Sequence, residues 1–373
     1  MKEMNIFIFQ PYPKFGGADR SIIRMINSNN DANFTLISIT KCKYKKYLNK
    51  KIKYIQLKSS RTFSSIFNLR KNVKKLISKF KDKKNIFISN QNFANIITIL
   101  SLKNLENLKI ILIERNHLNE LYNYKNIFDF LKKKIILFLI KFTYREADSI
   151  VGISKTLSKD LSRFIKKEVT TIYNPAMDNE IYKDISYKFN LPKKIVKKKI
   201  ILNVGFYEIQ KDQITILKAL NLLIKESDQY HLLLVGRGSL FGHLDKFVKE
   251  NKLSKHVSFM QKIDNPSELY KVADLFILSS RYEGFGNVIV ESLKNKCPVI
   301  TSNCCSGPME IIGYGKYGDY FNVGDYMSLK KKITNFFYNK IVLKQKTLKA
   351  KTHLKKFSLL QNKIAFKKLF DNI

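Results

Sequence analysis

Several scarcities narrow what this chain can be. Only four cysteines occur in 373 residues, Cys42, Cys297, Cys304 and Cys305. They form no C-x-x-C and the last two are adjacent, so neither a zinc knuckle nor a disulfide framework is indicated, which fits a reducing cytoplasm. Long apolar runs are missing too. The longest near the middle, "IILFLI" at 135–140, falls far short of the ~18 residues that span a bilayer. The apolar run in "MKEMNIFIFQPYP" is too short for a signal-peptide core, so an integral membrane protein is not expected. Acidic residues are also few, 30 against 69 basic ones, giving a net charge of +39. That charge attracts phosphates, anionic lipid or nucleic acid. Nine Arg stand against sixty Lys, the bias an AT-rich genome imposes on any surface, so selection and codon usage are both open as its source. No RNA-recognition signature, zinc finger or basic heptad array accompanies it, and no specific nucleic-acid partner is expected.

What is present is ample material for folded cores. With 45% apolar and 12% aromatic residues, the chain suffices for two domains. Short Ile/Val/Phe-rich runs read as strands at 5–9, 34–39, 85–89, 109–114 and 149–154, with helical segments between them. The same grammar returns at 200–205, 231–236, 256–260, 275–280 and 298–302. Strand–helix alternation of this kind predicts doubly wound α/β domains. A Lys-rich bridge running through "LPKKIVKKKI" (191–200) marks the boundary, set at residues 1–180 and 181–350. A tail, 351–373, is expected to fold as a helix back on the first domain.

Three stretches carry chemistry. In "RYEGFGNVIVESLKNKCPVI" (281–300) a strand ends, the chain turns through Gly284 and Gly286, and a helix starts near Asn287. The free amides at such a helix start suit a phosphate. Glu283 before the helix and Glu291 in its second turn can accept hydrogen bonds from hydroxyls. Phosphate and hydroxyls together describe a nucleotide sugar; the plain alternative is two solvated helix-start carboxylates. In "VGFYEIQKDQITILKAL" (204–220) Lys211 sits at a strand-to-helix junction, where a cation can neutralise a diphosphate leaving group. In "VGRGSL" (235–240) Arg237 lies in another glycine turn at a strand end. Each alone could be structural; their order along one doubly wound domain is harder to reach by accident.

Taken in order, Lys211 in "QKD", the "VGRG" turn, "HVSFM", "EGFGNVIVE" and "CPVITSNCCSGPMEI" resemble the retaining glycosyltransferases of family 4, whose signature is two glutamates separated by seven residues. The resemblance is strong over about 200–320 and weaker through "GGADRSIIRMI" (16–26), "ADSIVGIS" (147–154) and "IYNP" (172–175). It implies the α/β GT-B fold, two doubly wound Rossmann-like domains facing a central cleft, with acceptor on the N-terminal domain and donor on the C-terminal one. It implies that Glu291 binds ribose hydroxyls, that Lys211 binds the diphosphate, and that Glu283 with the amides of Gly284, Phe285, Gly286, Asn287 and Val288 binds sugar and phosphates. Gly16 and Gly17 would approach the donor, and His117 in "ERNHLNE" falls where many members place a histidine near the anomeric carbon. Many members carry Arg where this chain has Phe206, so Arg237 would have to supply part of that charge. No Asp-x-Asp occurs, so the metal motif of the other large glycosyltransferase fold is absent and neither metal nor cofactor is expected.

The activity so implied is transfer of a hexose or N-acetylhexosamine from a nucleotide sugar, UDP being the usual carrier, to a lipid-linked or polysaccharide acceptor in capsule, O-antigen or lipopolysaccharide assembly. Rival readings are a nucleotide-sugar 2-epimerase and a basic nucleic-acid or lipid-binding protein on a degenerate GT-B scaffold. One further segment, 125–147, combines Ile127, Phe128, Leu131, Ile135, Phe138, Leu139 and Phe142 at helical spacing with Lys132, Lys133, Lys134, Lys141 and Arg145. It predicts a helix whose apolar face packs inward. Its lysines could touch an anionic membrane, which would make the protein peripheral on the cytoplasmic face of the inner membrane.

Overall fold

A computed structural model describes residues 4–28, 32–49, 51–59, 61–80, 83–178, 195–261 and 267–373. The chain forms two compact units, residues 1–175 with 358–373, and residues 176–357. The boundary expected at 180/181 lies outside the described residues. The tail divides at 357/358 rather than at 350/351, because residues 351–357 continue the helical run of the second unit.

Unit 1 is built on a parallel sheet. Its strands are β1 (Met4–Phe9), β2 (Ala32–Ser38), β3 (Lys53–Gln56), β4 (Lys84–Asn90), β5 (Lys109–Glu114), β6 (Ser149–Gly152) and β7 (Thr170–Thr171), in the order β3-β2-β1-β4-β5-β6-β7. Register is direct, with Ile6 beside Ile86, Phe7 beside Phe87 and Ile8 beside Ile88. Helices cover both faces of such a sheet, so strand side chains are buried whichever way they point. That is why Ile6, Phe7, Ile8 and Phe9 form an unbroken apolar run, all essentially without solvent contact. Three helices, α2 (Ile66–Ile77), α3 (Asn92–Leu102) and α4 (Ile127–Thr143), pack side by side with α3 between the others. Helix α1 (Gly17–Ser28) packs against the C-terminal helix α13 (Leu359–Asp371). The Asn362 side chain fastens α13 by donating to the Tyr173 carbonyl at 2.8 Å.

Unit 2 repeats the plan with β8 (Lys199–Val204), β9 (Tyr230–Val235), β10 (Val257–Met260), β11 (Leu275–Leu278), β12 (Val299–Ser302) and β13 (Asp319–Phe321), in the order β10-β9-β8-β11-β12-β13. The order reverses between β8 and β11, and the crevice beyond the carboxyl ends of those two strands is where ligands bind in open parallel sheets. Helices α6 (Gln213–Glu226) and α11 (Tyr326–Tyr338) pack together over this sheet. Their Leu217, Leu220, Leu329 and Ile333 share one core with Leu232, Leu234 and Ile277 of the strands.

Two sequence expectations need correction. Strands β3, β7 and β13 carried no apolar run that announces them. All three are sheet edges, and of their side chains only Phe321 is buried, so they are recognised through their neighbours rather than through an apolar run. Helix α4 forms as expected but with the other face inward. Ile136, Leu137, Ile140 and Thr143 are buried, whereas Ile127, Phe128, Leu131, Ile135, Phe138 and Phe142 are exposed. The middle of this helix is apolar on nearly all sides, so periodicity could not choose the face; packing against α3 did.

Candidate active site

The unit 2 site starts from the ends of β8 and β11. Past Leu278 the chain continues through Ser279 and Ser280, both fully buried. Ser279 Oγ donates to the Lys211 carbonyl at 2.8 Å, the Arg281 amide donates to the Gln210 carbonyl at 2.8 Å, and Gln210 Nε2 donates to the Tyr282 carbonyl at 3.0 Å. These bonds stitch the loop after β8 to the loop after β11. Stitching brings two expected site residues together: Lys211 Nζ donates directly to Glu283 Oε1. The same carboxylate oxygen accepts from Ser280 Oγ at 2.7 Å. Lys211 is 18% exposed in its side chain and Glu283 8%, so the pair is largely withdrawn from water. A pair this dry holds its geometry, and either charge left alone there would be costly.

Glu283 leads directly into the turn that opens the next helix. Gly286, at φ +101°, adopts the left-handed conformation that glycine takes without strain, and α9 (Asn287–Lys294) begins immediately after it. Gly284, Phe285 and Gly286 are buried and Asn287 and Val288 half-buried. The Phe285 ring packs in the core against Phe357 at 5.2 Å, so what Phe285 can offer a ligand is backbone. Behind this turn stands the loop 303–307. Ser306 Oγ donates to the Gly284 carbonyl at 2.8 Å, and a Cβ on Gly307 would lie 2.1 Å from the Phe285 carbonyl oxygen. Burial pushes the Cys304 thiol up to about 12 and Glu283 adds to the effect, so this cysteine is a neutral packing residue. Glu291 lies in the second turn of α9, only 5% exposed, and accepts from the Tyr270 hydroxyl at 3.3 Å.

The glycine turn after β9 packs on the loop after β8. A Cβ on Gly236 would stand 1.9 Å from the Gly205 carbonyl oxygen, and one on Gly238 2.4 Å from that of Tyr207. The glycines therefore serve loop-to-loop contact. Between them Arg237 is tied down only through its backbone, its carbonyl accepting from the Tyr207 amide at 3.0 Å. Its guanidinium is solvent-exposed and forms no ion pair among the described residues. Phe206 is 38% exposed.

In unit 1, Gly16 and Gly17 form the turn into α1. The Gly16 amide donates to Asp19 Oδ2 at 2.8 Å, and Gln10 Nε2 donates to Asp19 Oδ1 at 3.0 Å. Burial raises the Asp19 pKa, against the pull of these bonds. His117 is not a loose surface ring: it is 5% exposed and caps the short helix Leu118–Tyr122. Its Nδ1 accepts from the Asn119 amide at 3.2 Å and its Nε2 lies 3.0 Å from Asp160 Oδ2. An accepting Nδ1 leaves Nε2 as the protonated, donating nitrogen. Beside it, Arg115 holds Asn90 and Asn174, each at 2.9 Å, and burial lowers its pKa to about 10. Glu114 accepts from the Tyr144 hydroxyl at 2.7 Å and burial pushes it up to about 7.

Sequence reasoning passed over Ser280, Ser306 and Tyr270, which orient Glu283, its glycine turn and Glu291. Small polar residues at a strand end were the available signal for Ser280; nothing local marks Tyr270. Among the described residues no three His, Cys, Asp or Glu side chains gather to hold a metal ion.

The profile of the family described as Glycosyl transferases group 1 matches residues 187–353. A relative in Campylobacter jejuni, GalNAc-alpha-(1->4)-GalNAc-alpha-(1->3)-diNAcBac-PP-undecaprenol alpha-1,4-N-acetyl-D-galactosaminyltransferase, is 26% identical over 373 residues, 96% of each chain. These matches make the chain a glycosyltransferase, with the family profile itself covering residues 187–353. Solved glycosyltransferase structures share its fold along the whole chain. Sucrose-phosphate synthase from Thermosynechococcus elongatus superposes with a TM-score of 0.82 at 16% identity, covering 100% of both chains. Anabaena Alr3699/HepE in complex with UDP and glucose gives 0.77 at 16% identity, again over 100% of both.

Proposed function

We propose that this glycosyltransferase moves a hexose or N-acetylhexosamine from a UDP-sugar to a lipid-linked glycan acceptor, with retention of anomeric configuration and without a metal ion or other cofactor. The observation that carries the reading is the Lys211–Glu283 pair at the switch point of the unit 2 sheet, with Glu291 in the adjoining helix. In this reading Glu291 accepts from the ribose hydroxyls. The amide groups at the start of α9 and the Lys211 ammonium hold the diphosphate. Glu283 accepts from a sugar hydroxyl and keeps Lys211 aimed. As the bond from the anomeric carbon to the diphosphate oxygen breaks, charge collects on the leaving group, and a cation already oriented by Glu283 stabilises it without reorganising. Arg237 supplies the further positive charge that Phe206 does not. For His117 to meet any ligand, its ring must give up either Asn119 or Asp160.

The acceptor class follows from kinship: the Campylobacter relative's name specifies a glycan on PP-undecaprenol. A chain that lacks any described helix long and apolar enough to cross a membrane but uses such an acceptor works at the membrane surface, and we place it on the cytoplasmic face of the inner membrane, in capsule, O-antigen or lipopolysaccharide assembly.

The test is UDP release from a panel of UDP-sugars, with and without excess EDTA. One UDP-sugar should be turned over slowly in the absence of acceptor, unchanged by EDTA and abolished in Lys211→Ala. Release that EDTA stops and manganese restores would refute the metal-free mechanism. Release that survives Lys211→Ala would remove Lys211 from it.

A further inference from the structure

Helix α4 carries two apolar faces, and the structure uses only one. The inner face, Ile136, Leu137, Ile140 and Thr143, is buried. Opposite it lie Ile127, Phe128, Leu131, Ile135, Phe138 and Phe142, each between 51% and 79% exposed. At 3.6 residues per turn these six fall within an arc of about 100°, a continuous stripe along the whole helix. Isolated surface hydrophobes are ordinary, whereas an aligned stripe this long marks a contact surface. The adjoining helix α3 exposes Leu100, and α2 beyond it exposes Phe67.

The stripe is framed by cations. Lys132 borders one edge and Lys134 and Lys141 the other, all exposed. Lys133, which sequence patterning grouped with them, is instead turned aside, 3.0 Å from Asp129 Oδ2 and donating to the Asn123 carbonyl. An apolar stripe edged by lysines on a helix that does not span is the signature of a helix lying in a lipid interface, rings among the acyl chains and ammonium groups at the headgroups. The charge selects the occupant. A second copy of this chain would bring its own lysines against these, with +39 on each side. A surface of anionic headgroups over a hydrocarbon layer matches both the apolar stripe and its frame.

We propose that the outer face of α4 inserts into the interfacial layer of an anionic membrane and docks unit 1 there. The contact is apolar as well as electrostatic, so it outlasts salt that would release a purely basic patch. It rests on the geometry of α4 and not on the donor chemistry, so the two readings fail separately.

The experiment is co-sedimentation of the full chain with vesicles of phosphatidylglycerol and phosphatidylethanolamine, or of phosphatidylcholine alone, at low and high salt. Wild type should bind the anionic vesicles at low salt and retain measurable binding at high salt. Changing Phe128, Leu131 and Phe138 together to Ser should abolish the salt-resistant part. Lys132, Lys134 and Lys141 changed together to Gln should weaken low-salt binding by about a hundredfold, near fivefold per lysine. Both variants should melt like wild type and release UDP from the donor as wild type does, because none of these side chains supports the core or the donor site. Absence of wild-type binding to anionic vesicles, or undiminished binding by the serine variant, overturns the proposal. So does sedimentation velocity showing that wild type alone is a dimer which the serine substitutions dissociate, since the stripe would then be covered by a second copy.

Discussion

Replacing Lys211 by Ala should weaken unit 2 as well as silence it, and the two effects can be separated. Glu283 is 6% exposed; without the ammonium, its carboxylate keeps the Ser280 hydroxyl at 2.7 Å and little else. Removing one member of a buried ion pair costs about 3–5 kcal/mol, because the other charge is left uncompensated. Lys211 retains 18% exposure, so the low end, about 3 kcal/mol, applies. For a unit of this size that is a fall of about 6–12 °C in Tm. The double variant Lys211→Met with Glu283→Gln replaces both charges by neutral side chains of similar volume, and should recover most of the lost Tm because no charge is stranded. Turnover should not return, since the cation at the leaving group is still missing. Differential scanning calorimetry of wild type, both single variants and the double variant, together with UDP release, completes the cycle. Should Lys211→Ala melt with wild type, the pair contributes nothing to folding; should the double variant turn over donor at the wild-type rate, Lys211 does not stabilise the leaving group.

Glu291→Ala should raise KM for the UDP-sugar about 10- to 100-fold, the value of hydrogen bonds to a charged acceptor, and leave kcat nearly unchanged because the ribose is held alike before and in the transition state; a fall in kcat alone in steady-state assays contradicts this. Glu114 has its pKa raised by burial to about 7 from 4.5, so between those values the unfolded chain has released a proton that the folded chain keeps. Stability should therefore fall as pH rises from about 4.5 to 7, by about 3 kcal/mol in total. The isosteric Glu114→Gln should abolish that part of the slope in melts across the range; an unchanged slope assigns it elsewhere. Gly236→Ala forces a Cβ to within 1.9 Å of the Gly205 carbonyl oxygen and should cost about 2–3 kcal/mol while slowing turnover through the displaced Lys211 loop. Gly242→Ala in the helix Phe241–Glu250, where an added Cβ meets nothing within 4 Å, should stabilise slightly in the same melts.

The sequence alone determined the strands that lie between two helical layers, because burial on both faces writes itself as an uninterrupted apolar run such as Ile6 to Phe9. It determined the glycine turn, the helix start at Asn287 and the spacing of Glu283 and Glu291, since these are local consequences of backbone freedom and of one short segment. The edge strands β3, β7 and β13 were decided by pairing, for an edge strand needs few buried apolar residues; in these three only Phe321 is buried. Contact between Lys211 and Glu283, 72 residues apart in sequence, came from the crossing of two loops at the switch point, which no local pattern encodes. The same holds for the ring of His117, whose partner Asp160 lies on another helix. On α4 the sequence supplied a helix apolar on more than one side. Only packing against its neighbours settled which of those sides became core and left a stripe of phenylalanine, leucine and isoleucine facing out between lysines.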